Sequence, residues 1–66
     1  MNLAELLTLC RKHLAAAQME SSARLCLADA VALHDAGDFQ AAKQRALRSL
    51  KFSVGVFHPD FRRAAT

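Results

Sequence analysis

The stretch HDAGDFQAAKQRALRSL, residues 34–50, decides the fold because it contains a turn and most of a strongly helical segment. Gly37 suits the position just past a helix end, where a positive φ angle is needed and glycine adopts it without strain. Asp38 suits the N-cap of the next helix, because its carboxylate can accept a hydrogen bond from an amide of the first turn. The stretch therefore predicts a helix, a short turn and a second helix.

The segment after the turn, from about Phe39 to Val54, has helical periodicity with an apolar side and a basic side. The apolar side carries Phe39, Ala42, Ala46, Ser49, Leu50, Ser53 and Val54. The other side carries Lys43, Gln44, Arg48 and Lys51, with Arg45 at its edge. Phe52 falls near this polar side, which makes it a candidate contact residue for a partner. Gly55 is expected to end the helix, and Pro59 imposes a break beyond it.

The segment before the turn, from about Ser22 to Ala36, is apolar around almost its whole circumference, as residues 25–33, LCLADAVAL, illustrate. A helix that is apolar on most sides is buried on most sides. We therefore expect this helix to lie between the other two, or to have one face covered by a second chain. The side that carries Leu25, Ala28 and Ala32 should accordingly not face water without a partner.

The N-terminal segment, residues 3–18, predicts a first amphipathic helix with Asn2 as its cap and Glu5 as the capping partner. The connection to the second helix is short, which favours antiparallel neighbours. We predict an all-α protein, a small antiparallel three-helix bundle that forms one domain over residues 1–57. Residues 58–66 are predicted to be a C-terminal tail, in which Pro59 and Asp60 could open a short last turn from Phe61.

The composition of the 66-residue chain indicates a small helical protein with a limited core. Hydrophobic residues make up 53% but aromatic residues only 6%, so alanine supplies much of the apolar content and buries little area per residue. A core of this size rarely supplies more than about 3–5 kcal/mol, and small scaffolds usually add a disulfide, a metal or a partner subunit. No apolar run approaches the roughly 18 residues of a membrane span, and the N-terminus lacks the pattern of a secretory leader. We expect a cytoplasmic protein without a cofactor.

The turn at residues 37–39 is part of a longer pattern of small and large residues in the sequence. Ala30 is followed three residues later by Leu33, and the turn itself reads GDF at residues 37–39. Small residues follow at Ala42, Ala46 and Ser49. In these features the segment from Ala23 to Ser49 resembles a tetratricopeptide repeat, a helical hairpin of about 34 residues that usually occurs in tandem. The resemblance implies a hairpin that binds peptides or partner proteins.

A second segment, HPDFRRA at residues 58–64, is similar to the start of the next repeat in kinesin-light-chain-like arrays. The chain also departs from the family pattern. Ala46 stands where the family usually has an aromatic residue, Asp29 occupies a normally apolar position, and a second complete repeat is missing. A solenoid generally needs about three repeats to cover its own core, so this chain cannot be a solenoid by itself.

Positive charge is the most concentrated chemical feature of the sequence. It is carried by Lys43, Arg45, Arg48 and Lys51, joined by Arg62 and Arg63. Such residues can contact phosphates, with a salt-dependent affinity. We interpret them instead as the solvated back of the third helix, because positive residues near a helix C-terminus also suit the helix dipole.

The sequence offers little evidence for metal binding or catalysis. Potential zinc ligands occur at Cys10, His13, Cys26 and His34. Their spacing is not that of a structural zinc site, so we interpret them as core cysteines and edge histidines and predict no metal. His58 and Asp60 flank Pro59, which favours a turn or cap over acid–base chemistry. No catalytic triad, phosphate-binding glycine loop or carboxylate pair stands out, so we expect no enzyme activity.

We therefore predict a non-catalytic protein–protein interaction module, a small adaptor, chaperone-like or regulatory protein that self-associates as a homodimer. The predicted partner-binding residues are Phe52, Phe57, Phe61, Arg62, Leu25 and Ala32. The phenylalanines near the C-terminus either fold back over the core or anchor the partner.

Two further hypotheses stay open. One is a small basic regulator that binds nucleic acid; its contact residues would be Lys43, Arg45, Arg48 and Lys51. The other is attachment of the first helix to an anionic membrane through Arg11 and Lys12. We favour a protein partner over both, and expect neither a membrane nor a small-molecule substrate.

Overall fold

The computed structural model of the chain describes residues 1–16 and 21–66, and within these ranges it consists of four helices without a strand. The helices are α1 (Leu3–Ala16), α2 (Ser21–Asp35), α3 (Phe39–Val54) and α4 (Pro59–Ala65). The all-α fold class is confirmed. The predicted end of the first helix at residues 17–18, and the connection from α1 to α2, lie outside the described residues.

The turn between α2 and α3 has the geometry that residues 34–50 predict. Gly37 adopts a φ angle of 85°, and its amide donates to the carbonyl of His34 at 3.1 Å. The amide of Asp38 donates to the carbonyl of Leu33 at 2.9 Å, which completes a Schellman motif. The Asp38 carboxylate then accepts a hydrogen bond from the amide of Ala41 at 3.4 Å, so the predicted N-cap is confirmed.

The other predicted helix boundaries follow the same local rules. Asn2 accepts a hydrogen bond from the Glu5 amide at 2.8 Å and donates one to the Glu5 carboxylate at 2.9 Å. Gly55 has a φ angle of 91° and ends α3, its amide donating to the carbonyl of Lys51 at 2.9 Å. Side chains and backbone within a few residues of each boundary therefore fix where α1 begins and α3 ends.

α2 and α3 pack against each other through small side chains. Ala23, Ala30, Ala42 and Ala46 are all fully buried. The hydroxyl of Ser49, near the end of α3, donates to the carbonyl of Ala23, near the start of α2, at 2.8 Å. The two helices are therefore antiparallel, and the hydrogen bond satisfies Ser49, the one polar side chain among the described residues that is buried in the core.

α1 completes the core by packing against both α2 and α3. The thiol of Cys10 is fully buried and donates to the carbonyl of Ala46 at 3.2 Å. Around this contact lies one cluster of buried residues, namely Leu6, Leu7, Cys10, Ala30, Ala46, Leu50 and Ala64. The leucines of this cluster supply most of its buried apolar area, because each alanine side chain buries little.

The C-terminal segment differs from the prediction, because residues 59–65 form a helix rather than a tail. His58 is the N-cap of α4 and accepts a hydrogen bond from the Asp60 amide at 3.1 Å, and Pro59 occupies the first turn, where its missing amide costs nothing. Ala64 is buried in the core and Phe61 packs against it. The small three-helix core is therefore extended by a fourth helix.

The prediction that α2 is buried on most sides is wrong for the single chain. Among the described side chains of α2, the buried ones form a narrow stripe of Ala23, Cys26 and Ala30. Leu27 and Val31 pack against the core as well, partly buried. On the opposite side Leu25 is 68% exposed, and Ala28 and Ala32 are exposed too. Among residues 1–16 and 21–66, no element covers this apolar side.

None of the helices in the described residues is long and apolar enough to cross a membrane.

Replacing the buried Ala30 with leucine should destabilise the fold, because the added atoms enter the close contact between α2 and α3. We expect Ala30→Leu to lower the free energy of unfolding by about 1–3 kcal/mol, measured by urea denaturation. Ala4→Leu is the matched control, since Ala4 is exposed on α1. Equal stabilities of the two variants would contradict the packing of α2 on α3.

Candidate protein-interaction surface

α2 and α3 together form a surface that combines exposed apolar and charged side chains. We call it the α2–α3 face and define it as Leu25, Ala28, Asp29 and Ala32 of α2 with Arg45, Arg48 and Phe52 of α3. A groove of about 490 Å³ runs along it, lined in part by Leu25, Cys26, Asp29, Arg45 and Phe52. A second depression continues past Asp29 and Arg45 to Ala32 and Leu33.

Helical periodicity places these residues on one surface. In α2, Leu25, Asp29 and Ala32 lie four and three residues apart, which aligns them along one side of the helix. In α3, Arg45 and Phe52 are two turns apart, with Arg48 between them. Because α2 and α3 are antiparallel and closely packed, the two rows border the same groove.

The apolar part of the α2–α3 face consists of two large side chains and two alanines. Leu25 is 68% exposed and Phe52 is 44% exposed, and both line the same groove. Single exposed apolar residues are common, but large ones that adjoin across a groove characterise interaction sites. Ala28 and Ala32 add a strip of small side chains on which another helix could approach closely.

The charges of the α2–α3 face are of both signs. Asp29 and Arg45 line the same two depressions. Neither of them, nor Arg48, forms an ion pair with another described residue. These groups are therefore free to pair with a partner.

The predicted contact residues do not all lie together. Leu25, Ala32 and Phe52 belong to the α2–α3 face. Phe57 is 87% exposed in the turn after α3, and Arg62 is exposed on α4. Of the three phenylalanines that were expected either to fold back over the core or to anchor a partner, Phe61 folds back and is partly buried, whereas Phe52 and Phe57 do not.

All four basic residues proposed for nucleic-acid binding are exposed on α3. Arg45, Arg48 and Lys51 line the groove beside α2 and also a groove on the other side of α3, next to Phe61. They therefore form a ridge between the two grooves, which we call the basic ridge. Lys43 lines neither groove.

A polar cluster between α1 and α4 was missed by the sequence analysis. The Nε2 atom of His13 donates to Oδ2 of Asp60 at 2.8 Å, and the rings of His13 and His58 meet edge to face with centroids 5.2 Å apart. Arg63 donates to the other carboxylate oxygen, Oδ1, at 3.1 Å. The hydrogen bond from His13 is the main reason that the pKa of Asp60 lies below its usual 3.8, and the charge of Arg63 acts in the same direction.

Only part of this cluster has a signal in the sequence. The turn or cap predicted around Pro59 is observed as the N-cap of α4, because His58 accepts the hydrogen bond from the Asp60 amide. His13 lies 47 positions from Asp60, so packing of α4 beside α1 brings them together. The cysteines considered as zinc ligands are elsewhere: Cys10 is buried against α3, and Cys26 lines the groove beside α2.

Comparison with protein families, with curated proteins and with solved structures finds no match to the chain. The resemblance of α2 and α3 to a tetratricopeptide repeat therefore stays a prediction.

The two cysteines should differ in reactivity. Burial raises the pKa of the Cys10 thiol to about 11, so at pH 8 only about one molecule in a thousand carries the reactive thiolate. Cys26 is 8% exposed and lines the groove. We expect iodoacetamide to modify Cys26 well before Cys10 in the native protein, as followed by mass spectrometry, and to modify both in urea. Equal native rates would contradict the packing of α1 on α3.

Proposed function

We propose that this chain is a non-catalytic protein–protein interaction module that forms a homodimer through its α2–α3 face. The observation that carries the proposal is that Leu25 of α2 and Phe52 of α3 are both exposed and line the same groove. The sequence of α2 is apolar around nearly its whole circumference. Burial of these two side chains against a second copy would remove from water the largest apolar groups on this surface, at about 1.5–3 kcal/mol for each fully buried side chain.

A second copy is the favoured occupant because the charges of the α2–α3 face are self-complementary. In a twofold-symmetric dimer each contact occurs twice with the roles exchanged. Asp29 of one copy can then face Arg45 of the other, while the reciprocal pair forms across the axis. The small side chains of Ala28 and Ala32 allow the two α2 helices to approach closely at the centre.

The size of the chain favours the same conclusion. A standard interface removes about 800 Å² from each partner, which is about a fifth of the 4327 Å² of exposed surface here. For a chain whose core is limited by its 66 residues, such burial adds substantially to stability.

The finer role that we propose is that of a small adaptor, chaperone-like or regulatory protein with a tetratricopeptide-like hairpin. Its α2 and α3 are joined by a glycine turn and packed through small residues, the features that carry the resemblance. The dimer would leave Phe57 and Arg62 outside the interface and available to another protein. We place it in the cytoplasm, where the free thiols of Cys10 and Cys26 persist in a reducing environment.

Nucleic-acid binding through the basic ridge is the second candidate function. The observation in its favour is that Arg45, Arg48 and Lys51 are exposed side by side without an ion pair to any described residue. Such a ridge can contact phosphates, and the affinity would fall steeply with salt. A gel shift that persists at physiological salt and disappears as salt is raised would favour this function over the dimeric module.

Glutamate at position 25 should weaken the dimer strongly, since it replaces the most exposed apolar side chain of the α2–α3 face with a charge that burial in the interface would desolvate. We expect Leu25→Glu to be a monomer in analytical ultracentrifugation at tens of micromolar, where the unaltered chain is a dimer. The helical circular dichroism should be unchanged, because Leu25 is exposed in the single chain.

Phe57→Glu is the matched control, because Phe57 is 87% exposed but lies outside the α2–α3 face. This variant should remain a dimer. If Phe57→Glu is a monomer and Leu25→Glu remains a dimer, the interface lies in the C-terminal region instead. A strictly monomeric unaltered chain would refute self-association.

Exchanging the charges of Asp29 and Arg45 tests the symmetry of the dimer. Asp29→Arg and Arg45→Asp alone should each weaken dimerisation by at least about tenfold, because each places like charges opposite one another. The double variant should regain most of the affinity, since the pairs re-form with opposite polarity. Failure of the double variant to recover would show that these two residues do not meet across the interface.

A further inference from the structure

We infer that His13, His58 and Asp60 form a binding site for a zinc ion between α1 and the start of α4. Each of the three offers one ligand atom, and these atoms lie within 4.8 Å of one another. Among the described residues they are the one group of three or more potential metal ligands. The site lies outside the α2–α3 face, so the inference does not depend on self-association.

The distances suit zinc after small side-chain movements. Zinc binds nitrogen and oxygen ligands at about 2.0–2.2 Å, so a tetrahedral site sets its ligand atoms about 3.3–3.5 Å apart. The Nε2 atom of His13 is 2.8 Å from Oδ2 of Asp60, and Nδ1 of His58 is 4.0 Å from the same oxygen. The first separation is somewhat too short and the second somewhat too long, and the two histidine nitrogens lie within 4.8 Å of each other, so zinc binding requires small rotations of the three side chains.

The donor set indicates which ion fits. Two imidazoles and one carboxylate suit zinc and its transition-metal neighbours, whereas magnesium and calcium prefer oxygen ligands alone. Three protein ligands leave a fourth position of the zinc open, and water can reach it because His58 is 37% exposed. The bound zinc would therefore carry a water molecule or a donor atom from a ligand.

The surroundings orient the carboxylate for this role. Arg63 holds Oδ1 of Asp60 at 3.1 Å, which leaves Oδ2 directed at His13 and His58. Partners of this kind fix the orientation of metal ligands in proteins. The Nδ1 atom of His58 accepts the amide hydrogen of Asp60, and coordination through that atom would replace this cap with a metal bond.

Zinc at this position would fasten α4 to α1. α4 has seven residues, too few for an independently stable helix, and its charged link to α1 is the contact between His13 and Asp60. A metal that binds the folded chain stabilises it, and small proteins often rely on such a site. Zinc would thus strengthen the C-terminal region in particular.

Titration of the full chain with zinc chloride tests the inference, followed by NMR of the histidine rings. We expect one zinc per chain, with shifts of the His13 and His58 signals, unchanged His34 signals and a higher melting temperature. Cobalt(II) should bind at the same place without the intense thiolate absorption that cysteine ligands produce. Magnesium chloride should change none of these signals.

Two variants make the test specific. His13→Gln keeps a hydrogen-bond donor for Asp60 but removes a ligand, so it should fold normally and bind zinc at least about tenfold more weakly. His34→Gln is the matched control, because His34 also lies beside an aspartate, with Nδ1 3.6 Å from Oδ1 of Asp35, but outside the cluster. It should bind zinc as the unaltered chain does.

Three results would overturn the inference. One is an unaltered chain that shows no shift with zinc at millimolar excess. Another is equal binding by His13→Gln and the unaltered chain. The third is loss of binding in His34→Gln, or a cobalt spectrum with thiolate absorption, either of which would place the metal elsewhere.

Discussion

The structure depends on the close contact between α2 and α3, which is made by side chains of minimal size. Ala30 and Ala46 are fully buried, and the two helix backbones approach closely because no larger side chain separates them. The hydrogen bond from Ser49 to the carbonyl of Ala23 fixes how far one helix is shifted along the other. Alanine buries little area, however, so this contact sets the geometry without supplying most of the stability.

The remaining elements compensate for that small area. α1 contributes leucines and the buried Cys10, whose thiol bonds to the carbonyl of Ala46 at the centre of the core. α4 contributes Ala64 and Phe61, and its first turn is held to α1 by a hydrogen-bonded histidine–aspartate pair. The zinc site that we infer uses that same pair, so one junction would serve both as a structural contact and as a ligand site.

The narrowness of the alanine contact also explains the exposed apolar surface. α2 presents its small residues to α3 and therefore turns its larger Leu25 away from the core. Phe52 lies across the groove from Leu25 for a similar reason, because the buried side of α3 is occupied by small residues and Leu50. The packing that holds the chain together thus creates the α2–α3 face through which we propose that it dimerises.

The sequence by itself determined α1, α2 and α3 and the caps at Asn2, Asp38 and Gly55, because caps and glycine turns act within four or five residues. Gly37 and Asp38 could be assigned with their conformations and hydrogen bonds. Only the tertiary structure decided which apolar side of α2 would be left exposed, since periodicity does not tell which neighbour covers which side. It alone also brought His13 to Asp60, 47 positions apart, and turned the expected tail into a packed helix. Both outcomes depend on where helices meet in space, which no local pattern of residues specifies.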